Sequence, residues 1–170
     1  KGSKKRLWLG KRILEQEIRR QVYEDGVSKE QSMHYHEFII ELYFIAIALA
    51  RKNRIDFSKD LNSRLEDMRE FIRHMVDDGP EPLNIGDSDE RTALKLNLTA
   101  NFSDHDFIFN TASILFDNPG FKRTKSGLDE KSLWLFGKKG YERYSLLEYP
   151  DKCPGLSSKA FPEGGYYIIR

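Results

Sequence analysis

The chain has 170 residues, 39% apolar and 32% charged, with 28 Lys+Arg against 27 Asp+Glu and a formal net charge of +1. That composition is typical of folded globular chains and excludes the disordered and fibrous classes. A near-neutral total gives neither nucleic acid nor a membrane surface a global field to follow, and one cysteine, Cys153, excludes an internal disulfide or a cysteine-based zinc site. The mass suits a single core and is too small for two comfortable domains. The longest apolar stretch, residues 38–50, contains Glu41 and is too short to span a bilayer. The opening Lys1-Gly2-Ser3-Lys4-Lys5-Arg6 has no apolar segment behind it, so no signal peptide is visible.

Three helices are predicted first. Leu7, Leu14, Ile18 and Val22 recur at helical spacing, and Asp25-Gly26 marks the stop. Ser28 and Gln31 form a capping-box pattern for a second helix, which from Phe38 onward is apolar almost all round. Such a helix must be covered on most sides, so Ile39, Leu42, Ile45 and Leu49 are expected in the core. The third carries Leu61, Leu65, Met68, Ile72 and Met75 on one face and ends at Asp78-Gly79-Pro80. The spacing places these helices near 5–23, 29–51 and 58–77, packed as antiparallel neighbours.

The second half is less regular. Ser103 is positioned to cap a helix through Phe107, Ile108, Ala112, Ile114 and Leu115, ending at Asp117-Asn118-Pro119-Gly120. A shorter helix over 129–136 should stop at Gly137, and residues 140–156 carry too much punctuation for a long element. Tyr166-Tyr167-Ile168-Ile169 after Gly164-Gly165 predicts a strand beginning near the end of the chain. The fold class is therefore mainly α, with an irregular C-terminal half and at most a short terminal strand.

The densest polar cluster is Glu30-Gln31-Ser32-Met33-His34-Tyr35-His36-Glu37. His34 and His36 stand two apart and face different directions on a helix, and no HExxH pattern exists, so no metal site is expected. Glu30, His34, Glu37 and Glu41 share one helical face, which reads as a solvated acidic stripe. Lys122, Arg123 and Lys125 read as a solvated loop. Cys153 carries no chemistry.

Ile13-Leu14-Glu15-Gln16-Glu17-Ile18, Arg20-Gln21, Asp25-Gly26 and Glu30-Gln31-Ser32 with Tyr35-His36 behind them resemble the heparinase II/III-like polysaccharide lyases. Gly86-Asp87-Ser88-Asp89 resembles a loop of that family, and Phe161-Pro162-Glu163-Gly164-Gly165-Tyr166-Tyr167 resembles the entry to its β-domain. The resemblance implies an incomplete (α/α) toroid-type array of antiparallel hairpins over 1–160 and the start of a β-sandwich domain over 161–170. It implies β-elimination on an acidic, uronic-acid-containing glycan, without a cofactor. The parent would be bacterial, and periplasmic or extracellular.

By that match Tyr35 is the catalytic candidate, because its hydroxyl can accept or donate a proton once its pKa of about 10 is helped downward. His36 is carried with it as a catalytic supporter, and His34, Glu30 and Arg91 as substrate contacts. Arg91 suits a carboxylate by its fork geometry, and equally suits a salt bridge to Asp87 or Asp89. The family's asparagine-bearing helix would lie upstream of Lys1 and its catalytic histidine downstream of Arg170. Asn97, Asn101 and His105 lie in the wrong region to replace them. The chain alone is therefore expected to be inactive; the alternative is a non-catalytic helical interaction or glycan-binding module. No nucleic-acid partner and no membrane span are expected.

Overall fold

The computed structural model describes residues 2–75, 83–87, 92–96, 104–122, 127–148 and 157–170. Among them the fold is mainly α, as the periodicity predicts. Five helices, α1 (Gly2–Gln21), α2 (Met33–Lys52), α3 (Lys59–Met75), α4 (Asp104–Phe116) and α5 (Glu130–Leu146), precede a hairpin of β1 (Lys159–Phe161) and β2 (Tyr166–Ile168).

The contacts fix the helix directions. The Tyr43 hydroxyl donates to the Leu14 carbonyl at 3.1 Å, and His36 near the start of α2 meets Met68 late in α3. The end of α1 lies against the start of α2, since Val22 bridges to Ser28 and the Ser28 amide donates to His36, so α2 runs antiparallel to both α1 and α3. Glu15 accepts from the Ser58 amide at 2.7 Å, and Arg19 pairs with Asp60 at 2.7 Å. These rising pairs make α1 and α3 parallel, as an array whose successive helices are antiparallel requires. Phe44 meets Phe116, and Glu37 meets His105, so α4 runs parallel to α2 along its other side.

The core lies where these helices converge. Ile18, Ile40, Phe44, Leu61, Leu65, Met68, Ile72, Phe107 and Ala112 have no measurable exposure. Every residue of the predicted α3 stripe is buried. By length and composition α2 is also apolar enough to cross a bilayer, but its buried face is occupied by neighbouring helices.

Several expectations need correction. The second helix begins at Met33, capped by Ser32 rather than Ser28, because residues 25–31 form a turn that crosses back against Val22. Leu42 and Leu49 are 44% and 54% exposed, and Ile45 is half-buried. Seven residues apart, Leu42 and Leu49 share the strip of α2 that faces away from its partners. Leu7, 51% exposed, sits on a part of α1 that projects past the body. Gly137, at φ 63° and ψ -160°, ends the helical run that starts at Glu130, as expected; the addition is a second run that begins straight after this kink and carries α5 to Leu146. The terminal strand is not alone, since Phe161 pairs with Tyr166 and Lys159 with Ile168. Phe161 packs edge-on to Phe71 at 5.1 Å, which seats the hairpin on the helices. The predicted cap Ser103, the stop at Asp78-Gly79-Pro80 and Cys153 lie outside the described residues.

Ile40→Ala should cost about 2–5 kcal/mol and Leu42→Ala less than about 1 kcal/mol in urea denaturation of the 170-residue chain. Equal losses would show that the outer strip of α2 is covered.

Candidate functional site

Of the residues singled out from the sequence, Glu30, His34, Tyr35 and His36 lie at or just before the start of α2, where three other segments converge. Ser32, in extended geometry, accepts from the Tyr35 amide at 3.3 Å and donates its hydroxyl to the Asp87 carbonyl at 2.6 Å. One side chain thus caps the helix and docks the 83–87 segment. The Met33 amide donates to Ile85 O at 2.9 Å alongside it. Gly86, at φ 78°, must be glycine for a second reason: a Cβ there would lie 2.6 Å from the Gln31 carbonyl.

The terminal hairpin closes the junction from the other side. Gln31 Nε2 donates to the Gly164 carbonyl at 3.2 Å, and the Gly164 amide donates to Asp25 Oδ2 at 2.9 Å. A Cβ on Gly164 would overlap Val27 at 2.4 Å. Ser28, Gln31, Ser32, His36, Phe71 and Tyr166 border a small recess at this junction.

The predicted site residues fall into different environments. His36 is 1% exposed. Its Nδ1 accepts from the Ser28 amide at 3.3 Å and its Nε2 lies 3.0 Å from the Met68 carbonyl. Those partners assign the proton to Nε2, so both nitrogens are committed to the backbone. Burial pushes its pKa down to about 4, against the weaker upward pull of the Met68 carbonyl. Tyr35 and His34 are half-buried in the first turn of α2, whereas Glu30 is exposed in the turn before it. Glu30 therefore does not share a helical face with His34. Arg91 lies outside the described residues.

The acidic stripe is a correction. Glu37 and Glu41 are 7% and 3% exposed. Glu37 Oε1 lies 2.5 Å from His105 Nδ1 in the first turn of α4. Glu41 pairs with Lys131, whose side chain is fully buried in α5, with its ammonium 4.3 Å from the centre of the Phe107 ring. The Glu41 carboxylate also accepts from the Ala93 amide at 3.1 Å, the Leu94 amide at 3.0 Å and the Thr92 hydroxyl at 3.3 Å. Lys131 donates to that hydroxyl at 3.1 Å. Nearby, Asp129 caps α5 through the Ser132 amide and receives Asn110 Nδ2 at 2.9 Å.

Sequence reasoning missed this polar seam, although Glu41 inside an otherwise apolar stretch was its signal. A buried carboxylate requires a buried cation or several donors. Here it has both.

The arrangement gives the site a fixed frame. Residues 83–87 are docked at the first turn of α2, and residues 92–94 are held two turns further on by Glu41. Arg91 is bonded directly to Thr92, the first residue of that second anchor.

Comparison with known proteins agrees with the resemblance. The family model described as Heparinase II/III N-terminus matches residues 1–113. A heparin-sulfate lyase of Bacteroides thetaiotaomicron is 26% identical over the whole of this chain, which spans 22% of that relative's length. No solved structure matches.

Two outcomes test the frame. Lys131→Met should cost about 3–5 kcal/mol, because it strands a buried carboxylate. The double variant Glu41→Gln/Lys131→Met should lose less than Lys131→Met alone, since Gln keeps an acceptor for the Ala93 and Leu94 amides. Denaturation curves on these variants check it, and additive losses would remove the coupling.

The second outcome concerns pH. Because His36 titrates near 4 when folded and near 6.5 otherwise, the unfolded chain binds the extra proton between those values. Its contribution is complete above pH 6.5 and falls as pH drops toward 4, by about 3 kcal/mol in all. His36→Gln should flatten that part of the stability profile; an unchanged profile would assign the acid sensitivity elsewhere.

Proposed function

We propose, since the chain belongs to the Heparinase II/III N-terminus family, that its parent is a polysaccharide lyase cleaving an acidic, uronic-acid-containing glycan by β-elimination. The observation that carries the reading is the placement of Tyr35. It stands half-buried in the first turn of α2, beside a cap that ties together the 83–87 segment and the helix start.

In this reaction the proton alpha to the uronate carboxylate is removed. The glycosidic oxygen leaves with a proton, and a double bond forms in the sugar. Tyr35 is the proton-transfer residue, working through a hydroxyl whose ordinary pKa of about 10 must be lowered by cationic or hydrogen-bonding neighbours. His36 is a positioning residue: its ring holds the turn bearing Tyr35 to Ser28 and Met68 and has no nitrogen left for substrate. Arg91 and His34 are the substrate contacts, with Glu30 at the exposed edge. The neutralising asparagine and the catalytic histidine come from other parts of the parent, as does the rest of an (α/α) toroid. Residues 161–170 lead into a β-sandwich domain. A bacterial periplasmic or extracellular location fits an enzyme for large, charged glycans.

The test is Tyr35→Phe in the full-length parent. It removes one oxygen and leaves the ring, so kcat should fall about 10²- to 10⁴-fold with little change in urea midpoint. The 170-residue chain alone should release no unsaturated uronate, read by ultraviolet absorbance, from heparin, heparan sulfate, alginate or hyaluronan. Near-normal kcat for Tyr35→Phe would remove Tyr35 from the mechanism.

A further inference from the structure

The near-zero net charge conceals a local concentration. Residues 1–13 hold six of the 28 Lys+Arg and none of the 27 Asp+Glu, leaving 22 basic against 27 acidic residues in the rest of the chain. In the structure, residues 2–9 of α1 are exposed on every side, while the helix is anchored by Leu14, Ile18 and the following Val22. Lys4, Trp8 and Arg12 follow one another at four-residue intervals and so form one row, with Lys5 beside them. Trp8 is 62% exposed, and the Arg12 guanidinium lies 5.5 Å from its ring centre. The nearest carboxylates on α1 are already engaged, Glu15 by Ser58 and Glu17 by Arg20 and Gln21. Among the described residues no carboxylate is paired with Lys4, Lys5 or Arg12.

We propose that this row is a binding surface for an anionic polysaccharide, with a sugar ring stacked on Trp8 and its carboxylates or sulfates facing Lys4, Lys5 and Arg12. The inference rests on the lyase reading and deepens it, by giving the glycan a second contact remote from Tyr35. The helix directions set that distance. Leu14 of α1 meets Tyr43 of α2, and the two helices are antiparallel. At 1.5 Å per residue, Trp8 lies roughly 20 Å from Tyr35 along the helix axes. Only a polymer reaches both. A bilayer-binding helix separates its cations from its Trp and Leu residues, whereas here Trp8 stands between two cations in one row. An alternating cation–aromatic–cation row instead matches a chain of rings bearing charges at intervals.

The experiment uses the 170-residue chain and measures binding rather than turnover. Probes are full-length heparin, a heparin disaccharide, dextran, phosphatidylserine vesicles and a DNA duplex. Lys4→Gln/Lys5→Gln/Arg12→Gln should weaken heparin binding about tenfold and lower the slope of log K against log salt by about three. Trp8→Ala should weaken binding several-fold with the salt slope unchanged, because stacking releases no counter-ions. The disaccharide and dextran should bind far more weakly than heparin. Unchanged heparin affinity in the triple variant overturns the proposal, as does vesicle or duplex binding equal to or tighter than heparin binding. Loss of heparin binding here and loss of turnover in Tyr35→Phe are separate results. A parent that cleaves glycan while this chain ignores heparin sinks this inference and leaves the lyase reading standing.

Discussion

A carboxylate two turns into the most apolar helix of the chain cannot remain charged without partners brought in from elsewhere. Glu41 obtains them from two segments far away in sequence: Lys131 from α5, and the hydroxyl and two amides of residues 92–94. The desolvation of two ions is offset only because nearly every polar atom finds a partner. Such a pair adds little net stability compared with a well-packed apolar substitute. What it adds is definition, since a shift of α5 or of the 92–94 segment would strand a charge. One turn earlier Glu37 meets His105 at the start of α4, without the ring of further donors that surrounds Glu41.

The same logic explains how the first turn of α2 is held in place. Helix starts leave amides unsatisfied, and here Ser32 answers that need while also docking a second segment. His36 ties the turn to the preceding loop and to α3 from beneath. The frame is therefore built on one side of the helix. The side chains of Tyr35 and His34 project from its other sides, supported without being fully buried.

How much of this was legible in the sequence depended on whether the information was local. The stripe of Leu61, Leu65, Met68, Ile72 and Met75 specified a buried face by spacing alone, and all five are buried. The second helix misled in two ways. Its apolar residues run all round, so periodicity could not say which strip would lack a partner, and Leu42 and Leu49 fell on the outside. Its acidic residues looked solvated because the side chains they meet, His105 and Lys131, lie dozens of residues away and no local pattern connects them. Gly137 was legible as a stop, because glycine at positive φ ends the run before it; the second helical run straight after it was not, since residues 138–146 follow with no cap pattern of their own. For the site, the order of motifs placed Tyr35 and His36 at a helix start. Only the fold separates their environments.

That separation follows from helix geometry. Successive residues on an α-helix point about 100° apart, which is enough to turn His36 into the core while Tyr35 before it stays at the edge. His36 takes the buried direction, and burial keeps its ring neutral through the physiological range. A neutral imidazole with both nitrogens engaged is an unsuitable proton carrier, yet it is well suited to hold a backbone turn in register, because it accepts on one side and donates on the other. Tyr35 takes the neighbouring direction and retains partial access to solvent. The cost of immobilising the turn is thus met by His36, whose two ring nitrogens bond to the backbone, while the neighbouring Tyr35 keeps partial exposure. Protonation of His36 would abolish its acceptor for the Ser28 amide and leave a charge in the core. Acid would then loosen the turn that carries Tyr35 at a pH where a phenol itself does not titrate, so the fold, and not the tyrosine, sets the acid limit of the site.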